Sequence, residues 1–495
     1  KLKIGIFRSK LQYPFFKLWL GTKLVVIMND PDMLNTIFRS KLQYPFFKLW
    51  LGTKLVVIMD DPDMVNTIFR NHLIKADFYS MLNCLSPHSV FFQKDLPVWK
   101  FHRTLMSSAS FNIAALKSYV QIFHQESLLL VEKMAPLAET GSAFEHLPLI
   151  NLATFSIIVR SMCGLDLKIQ QKHHDDHPFT SALETIFETF MSRIFKPWLL
   201  SDFIFRFSRL HKKQTEAANL VKAYIEDMLV RVQAKLLIAE KNKQGEKQRL
   251  PQSGMNENNT AETEPSESVE TFVEGMLKDQ MDANSANAMT RDELFGQFLT
   301  LISAGFDTTK TTNTFVLNML AIHPTIQQNV YEEILSILGT DPDVIPTYSQ
   351  LQELHLLNRV IKETLRILPP SPILARTLTE DTEVAGFTLP VGTTMAVLVY
   401  ELHHDPRVWS NPAQFDPDRF LPAEIAKRNP NAYMPFSAGP RNCIAGKFAL
   451  AQMKTLLTTI LRRYKVLPGD RCKEMKDVKF EFAMTMRSLP GNDIR

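Results

Sequence analysis

Hydrophobic and polar positions divide the chain into long helical stretches, a repeated pair of strands and one extended polar break. The longest apolar helical stretch begins near Thr290, where Thr290 and Glu293 form a predicted capping box, and it runs through Ala304-Gly305-Phe306-Asp307-Thr308-Thr309. A second helix is predicted from Tyr348 to Ile367, ended by Pro369-Pro370. A third opens at Lys447-Phe448-Ala449-Leu450. Near the N-terminus, Phe16–Leu20 and Lys23–Met28 read as strands joined at Gly21-Thr22, with a short helix after Asp30-Pro31. Residues 239–268 are polar and charged and read as a disordered surface loop. The stretch from Phe179 to Phe207 is rich in phenylalanine and includes Trp198, which suits core packing, a channel wall or contact with a bilayer. No run of about 20 apolar residues occurs, so no membrane anchor is expected within this chain.

Residues 7–37 and 38–68 are nearly the same sequence, differing only at Asn29/Asp60 and Leu34/Val65. Solenoid repeats diverge and need several copies to bury a core, so two copies do not predict one. The second copy, which continues directly into Leu73-Ile74-Lys75, is expected to be the one built into the main fold. Residues 1–37 are then an extra copy, and 38–495 the working domain.

A hydrophobic fraction of 45% and a charged fraction of 22% over 495 residues describe a globular protein with a large core. A net charge of +4, without a basic stripe interleaved with aromatics, argues against nucleic acid as a partner. Lys427, Arg428, Arg441, Lys447, Lys454, Arg462 and Arg463 gather instead around one cysteine and predict a basic face there. Cys84, Cys163, Cys443 and Cys472 are scattered without CxxC spacing, which fits neither a disulfide framework nor a zinc site. His173, His174 and His177 beside Asp175 and Asp176 read as an exposed turn rather than a metal cluster.

Chemistry concentrates at Phe436-Ser437-Ala438-Gly439-Pro440-Arg441-Asn442-Cys443-Ile444-Ala445-Gly446. A cysteine just ahead of a helix N-terminus gains from unpaired N–H groups and the positive end of the dipole, which favour a thiolate. Haem iron is a partner that uses a single thiolate, because the porphyrin supplies four nitrogens. Phe436, Gly439, Arg441 and Cys443 stand at the spacing of the haem-binding loop of the cytochrome P450 superfamily, which the chain resembles. Glu363-Thr364-Leu365-Arg366 and Phe415-Asp416-Pro417-Asp418-Arg419-Phe420 match two further motifs of that family in the right order. Trp99-Lys100-Phe101-His102-Arg103 matches its WxxxR helix.

The resemblance implies a mainly α fold with small β-sheets, a large helical domain and a smaller β-rich one. It implies haem b held by Cys443, with Trp99, Arg103, Arg376 and Arg441 toward the propionates and Phe436 and Gly439 shaping the loop. Glu363, Arg366 and Arg419 would form a structural network, and Asp307 and Thr308 would deliver protons during dioxygen reduction. The expected reaction is insertion of one oxygen atom into a hydrophobic small molecule. Electrons would come from an NADPH-dependent flavoprotein reductase, with cytochrome b5 as an optional second donor, at the cytosolic face of the endoplasmic reticulum membrane. The Tyr433 to Cys443 segment is similar to the microsomal clan-four type that includes fatty-acid ω-hydroxylases and many arthropod enzymes. Two positions depart from it. Ala304 stands where ω-hydroxylases place a haem-esterifying glutamate, so the haem is expected to be non-covalent. Phe306 replaces their histidine, and both changes are expected to make the pocket wall more apolar. Ala445 also stands where the loop usually has glycine. A haem-thiolate isomerase and a non-catalytic haem-binding duplicate are the competing readings.

Overall fold

The helix that starts at the Thr290 capping box forms the axis of the molecule. In the computed structural model, which describes residues 54–173, 176–249, 270–282, 285 and 288–495 with strands Ile6–Phe7, Phe15–Leu20, Lys23–Met28 and Phe46–Leu51, it runs Arg291–Ile322. At 1.5 Å per residue it is about 48 Å long. Thr290 N donates to Glu293 Oε2 at 2.9 Å and Glu293 N to Thr290 Oγ1 at 3.2 Å, so the box satisfies two end groups reciprocally. The helix is buried on every face from Thr309 to Ala321.

Its main neighbour is Leu147–Cys163, buried from Ile150 to Cys163 except at Arg160 and stopped by Gly164 in the left-handed region at φ 62°. The two helices pack closely because Gly305 lacks a side chain: a Cβ there would lie 2.5 Å from Ile158 Cδ1. The glycine inside this helix therefore serves packing. The ladder stays unbroken, and Thr308, Thr309 and Thr312 turn their hydroxyls back onto the carbonyls of Ala304, Gly305 and Thr308.

The cysteine-loop helix Gly446–Leu461 packs on Ile113–Glu139, where Phe448 meets Tyr119 and Phe123 edge-on. Each such buried aromatic or aliphatic side chain contributes about 1.5–3 kcal/mol relative to exposure. Helix thus dominates, with small sheets, as expected.

A four-stranded sheet runs in the order Phe46–Leu51, Lys54–Met59, Thr394–Leu398, Ile373–Thr377. Lys54–Met59 pairs antiparallel with Phe46–Leu51 and parallel with Thr394–Leu398. Thr394–Leu398 is buried at all five positions, and both central strands read as continuous apolar runs. The strands of the second repeat copy are therefore the ones in this sheet. Those of the first copy, Phe15–Leu20 and Lys23–Met28, pair with the same internal register but in a separate sheet with Ile6–Phe7.

Three sequence expectations change. The helix predicted from Tyr348 to Ile367 is two helices, Tyr348–Glu353 and His355–Ile367, broken at Leu354. Helix Arg209–Arg249 extends into the segment read as a loop, and residues 250–268 of that segment lie outside the described residues. His177 is buried rather than exposed: its Nδ1 accepts from Phe179 N at the start of helix Pro178–Phe195, so its Nε2 donates to Tyr224 Oη at 2.7 Å. His174 and Asp175 lie outside the described residues, among which no group of three His, Cys, Asp or Glu could hold a metal. Among them, too, no helix is long and apolar enough to cross a membrane.

Candidate active site

The cysteine loop is built by two left-handed residues, Ser437 at φ 65° and Gly439 at φ 70°. Gly439 is fixed twice over, since a Cβ would also lie 2.2 Å from the Phe69 carbonyl oxygen on the neighbouring helix Pro62–Asn71. Cys443 N donates to Phe436 O at 2.8 Å and Asn442 N to Gly439 O at 3.0 Å, which closes the loop around the cysteine. Ala445 has φ −100° and ψ 16°, a negative φ at which the backbone does not require glycine. Cys443 is accessible by area yet surrounded by enough protein that burial is the main influence on it. Burial pushes the thiol above its ordinary value, opposed by the Ala445 N–H and by Arg103 and Lys75. The helix N-terminus alone therefore does not make the thiolate that its position suggested. Coordination to a metal would.

Cations converge on this loop. Arg103 Nη1 and Nη2 donate to Asn442 O at 2.9 Å and Oδ1 at 2.6 Å. Arg441 Nη2 donates to Gln93 O at 2.6 Å, while its Nε and Nη1 are buried without partners, and its guanidinium stacks 4.5 Å over the Trp99 ring. Arg376 is 1% exposed, lies 4.4 Å over the Phe69 ring and also has a buried Nε without a partner. Burial brings both guanidiniums down to about 10. Lys75, which no motif singled out, joins them. Its Nζ sits 3.0 Å from the Phe91 ring centroid, and burial, then Arg376 and Arg441, hold its pKa well below the ordinary value. Among the described residues none of these four cations makes an ion pair. Buried charges with unpaired donors call for an anionic partner. Two propionate carboxylates beside a cysteine meet that demand, and the residues present fit haem.

Glu363, Arg366 and Arg419 come together in the structure. Arg366 Nε and Nη2 hold the two Glu363 oxygens at 2.7 and 2.8 Å, with both side chains 0% exposed. Arg419 Nε lies 3.4 Å from Glu363 Oε1, an ion pair whose angle makes no hydrogen bond, while its Nη2 donates to Asn411 O at 3.0 Å. Arg366 also donates to His403 O and Gln414 O, and Asp416 N donates to Glu363, so one carboxylate organises helix and meander together. Burial pushes the Glu363 carboxyl up despite these partners.

His403 extends the network toward the cysteine: its Nε2 accepts from Met434 N at 2.9 Å, and its ring stacks on Tyr433. Burial holds His403 down at about 3. An unfolded histidine titrates near 6.5, so between those values the unfolded chain carries the extra proton and stability rises with pH. Stability should therefore fall on acidification from about pH 6.5 by up to about 1.4 kcal/mol per pH unit from this residue. Urea unfolding of wild type and His403→Gln at pH 7 and 5.5 checks it; equal slopes for both proteins would refute the assignment.

On the other side of the site, Ala304, Asp307 and Thr308 line a cavity walled mainly by apolar residues, among them Leu85, Phe91 and Ile373. It encloses about 150 Å³ of water-accessible space. Phe306 is not in that wall. It is fully buried in the opposite direction, against Phe155 and Phe179, so only Ala304 contributes the apolar surface expected of the two substitutions. Asp307 is 4% exposed, with Lys310 Nζ at 2.9 Å from Oδ1 and Thr485 Oγ1 donating to Oδ2 at 2.5 Å. Neither partner was legible as a site residue, although a lysine within an apolar helix three residues after an aspartate was a signal.

The expected basic face is thinner than the sequence suggested. Arg441, Lys454 and Arg462 are buried, the last two on backbone carbonyls, and Arg428 stacks on Trp409. Lys427 and Lys447 are exposed.

Residues 38–491 match the family model described as cytochrome P450. The chain belongs to the cytochrome P450 family. It is 31% identical over 378 residues to cytochrome P450 4c3 of Drosophila melanogaster, covering 76% of this chain and 68% of that one. Cytochrome P450 4c21 of Blattella germanica is 28% identical over 386 residues, 78% of this chain and 72% of its own. Human cytochrome P450 4V2 is 29% identical over 380 residues, 76% and 68%. As a P450 the protein is an oxidoreductase, a haem-thiolate monooxygenase of a family whose members work with redox partners on hydrophobic substrates. The family match starts at Phe38, where the second repeat copy begins.

Proposed function

We propose that this P450 oxygenates an oily small molecule (a fatty acid, a hormone-like lipid or a xenobiotic) with electrons passed from NADPH by a flavoprotein reductase. The cavity lined by Ala304, Asp307 and Thr308 carries the reading, since an acid and an alcohol in an otherwise apolar wall suit a ligand placed by shape. Haem b bound through Cys443 supplies reductive activation of dioxygen and transfer of one oxygen atom.

The chain's own residues do the rest. Arg103, Arg376, Arg441 and Lys75 would neutralise the propionates, with Trp99 stacked beneath Arg441. Ala304 offers no carboxylate for esterification, so the haem is held without a covalent bond. Asp307 keeps a carboxylate at the cavity wall. Thr308 donates its hydroxyl hydrogen to Ala304 O, which leaves its oxygen lone pairs for a donor inside the cavity. An isomerase needs neither relay nor electron donor, and this pair in the wall favours the monooxygenase.

The exposed side chains of Trp198, Phe203, Ile204 and Phe207 support contact with the cytosolic face of the endoplasmic reticulum membrane. Lys427 and Lys447 would steer an acidic reductase or cytochrome b5. Residues 1–37 are read as an extra copy outside the catalytic unit 38–495.

The test is turnover with NADPH, a flavoprotein reductase and isotopically heavy dioxygen on dodecanoic acid, a terpenoid and an aryl ether. Label in a product is expected. No label from any of them, with the thiolate-haem spectrum intact, would overturn the reading. Thr308→Ala should raise hydrogen peroxide released per product severalfold, and unchanged coupling would remove Thr308 from proton delivery.

A further inference from the structure

Lys310 is a buried cation in the middle of the central helix, one turn beyond the proposed proton-delivering acid. Its side chain is 7% exposed, and it bridges two carboxylates, Asp307 Oδ1 and Glu184 Oε1, each at 2.9 Å. Burial works against its charge, but Asp307 and Glu184 together outweigh it and leave its pKa raised. Glu184 belongs to helix Pro178–Phe195 and also faces Arg487 at 3.5 Å. Arg487 in turn pairs with Glu188 at 2.7 Å and Glu481 at 3.3 Å. The remaining Asp307 oxygen accepts from Thr485, which sits in the cavity wall between the paired strands Phe480–Phe482 and Met486–Ser488.

We propose that Lys310 is a positioning residue that, with Thr485, fixes the Asp307 carboxylate for proton delivery, and that Glu184 holds Lys310 in place for that task. Each Asp307 oxygen has one donor from protein, so the carboxylate has a single favoured orientation. Without the lysine it would be a desolvated anion with one hydroxyl partner, repelled by Glu184 and free to turn toward water. The clamp joins three elements, so the orientation of the acid is set jointly by helix Pro178–Phe195 and by the loop that carries Met484 and Thr485 against the ligand cavity.

This rests on Asp307 as the delivering acid, and the test separates the two ideas. Lys310→Met should raise peroxide per product roughly fivefold or more, well inside the hundredfold a positioned acid can contribute. Lys310→Arg, which keeps the charge and can reach both carboxylates, should restore coupling to within about twofold. Crystal structures of the holoenzyme variants give a readout independent of turnover: the Asp307 side chain should change rotamer in Lys310→Met and return in Lys310→Arg. If Lys310→Met does not fold, Lys310→Met/Glu184→Gln, which removes the second carboxylate charge that the lysine bridged, takes its place. An unmoved Asp307 rotamer, or failure of arginine to restore coupling in a folded protein, would overturn the proposal. Asp307→Asn with unchanged coupling would instead sink the role of Asp307 while leaving the rotamer result to judge the clamp.

Discussion

Cys443→Ser abolishes the strongly red-shifted Soret band of the reduced, carbon-monoxide-bound protein, and turnover falls by on the order of a thousandfold or more. The expectation follows from how little else the change disturbs. Serine keeps the backbone N–H that donates to Phe436 O, it demands no positive φ, and Gly439 and Ser437 still shape the loop. What is lost is the soft, electron-rich sulfur that favours O–O cleavage, for which a hydroxyl with a far higher pKa is no substitute. The other cysteines supply controls. Cys163 and Cys472 are buried and Cys84 is half-buried, whereas Cys443 alone of the four is accessible by area and sits in the loop on which the cations converge. Serine at any of those three positions should leave the band in place. A band that survives Cys443→Ser would end the assignment of Cys443 as the ligand.

Glu363→Ala should be the most destabilising single change at the site, costing about 3–5 kcal/mol, because it leaves Arg366 charged and fully buried with its bidentate partner gone. Arg366 would keep His403 O and Gln414 O as acceptors, but among the described residues it has no ion pair other than the one with Glu363. The Asp416 N–H would lose its acceptor as well. Removing the charge together with its partner, in Glu363→Gln/Arg366→Met, should cost less than the single alanine change, since the dominant penalty is the unpaired ion. Denaturant unfolding with haem retention measured in parallel checks both. A loss below about 1 kcal/mol for Glu363→Ala would show that the network adds no stability beyond an exposed pair.

The parts of this site that were legible in the sequence are those whose information is local. A capping box, a glycine and arginine before a cysteine, and an acid three residues before an arginine are each contained in one short window. The network of Glu363, Arg366 and Arg419 needed two windows, and a known order of motifs supplied the link. Lys75, Thr485 and His403 were invisible because their importance comes only from what the fold brings beside them, across separations such as Thr485 to Asp307. Phe306 was misplaced for a related reason: its position in the helix was readable, but which face meets the cavity depends on how closely Gly305 lets Ile158 approach. The basic face was overestimated because counting lysines and arginines cannot show that Lys454 and Arg462 turn inward to cap carbonyls. The break at Leu354 was missed because both halves carry helical periodicity and no proline or glycine marks the junction.

The repeated hairpin leaves the folding chain with a choice of threading. Strand Thr394–Leu398 lies more than three hundred positions from either candidate, so both hairpins exist as equivalent suitors until that strand arrives. Seating the first copy would strand the second as a bight of 31 residues, whose closure costs about 3 kcal/mol. Two positions can discriminate locally: Asp60, which pairs with Arg407 at 3.0 Å where the first copy has Asn29, and the fully buried Val65, where it has Leu34. A cysteine pair placed at Ile27 and Ala396, the first-copy equivalent of the Ile58–Ala396 pairing, would trap the mis-threaded form, and no cross-link under refolding conditions would show that the first copy is not seated.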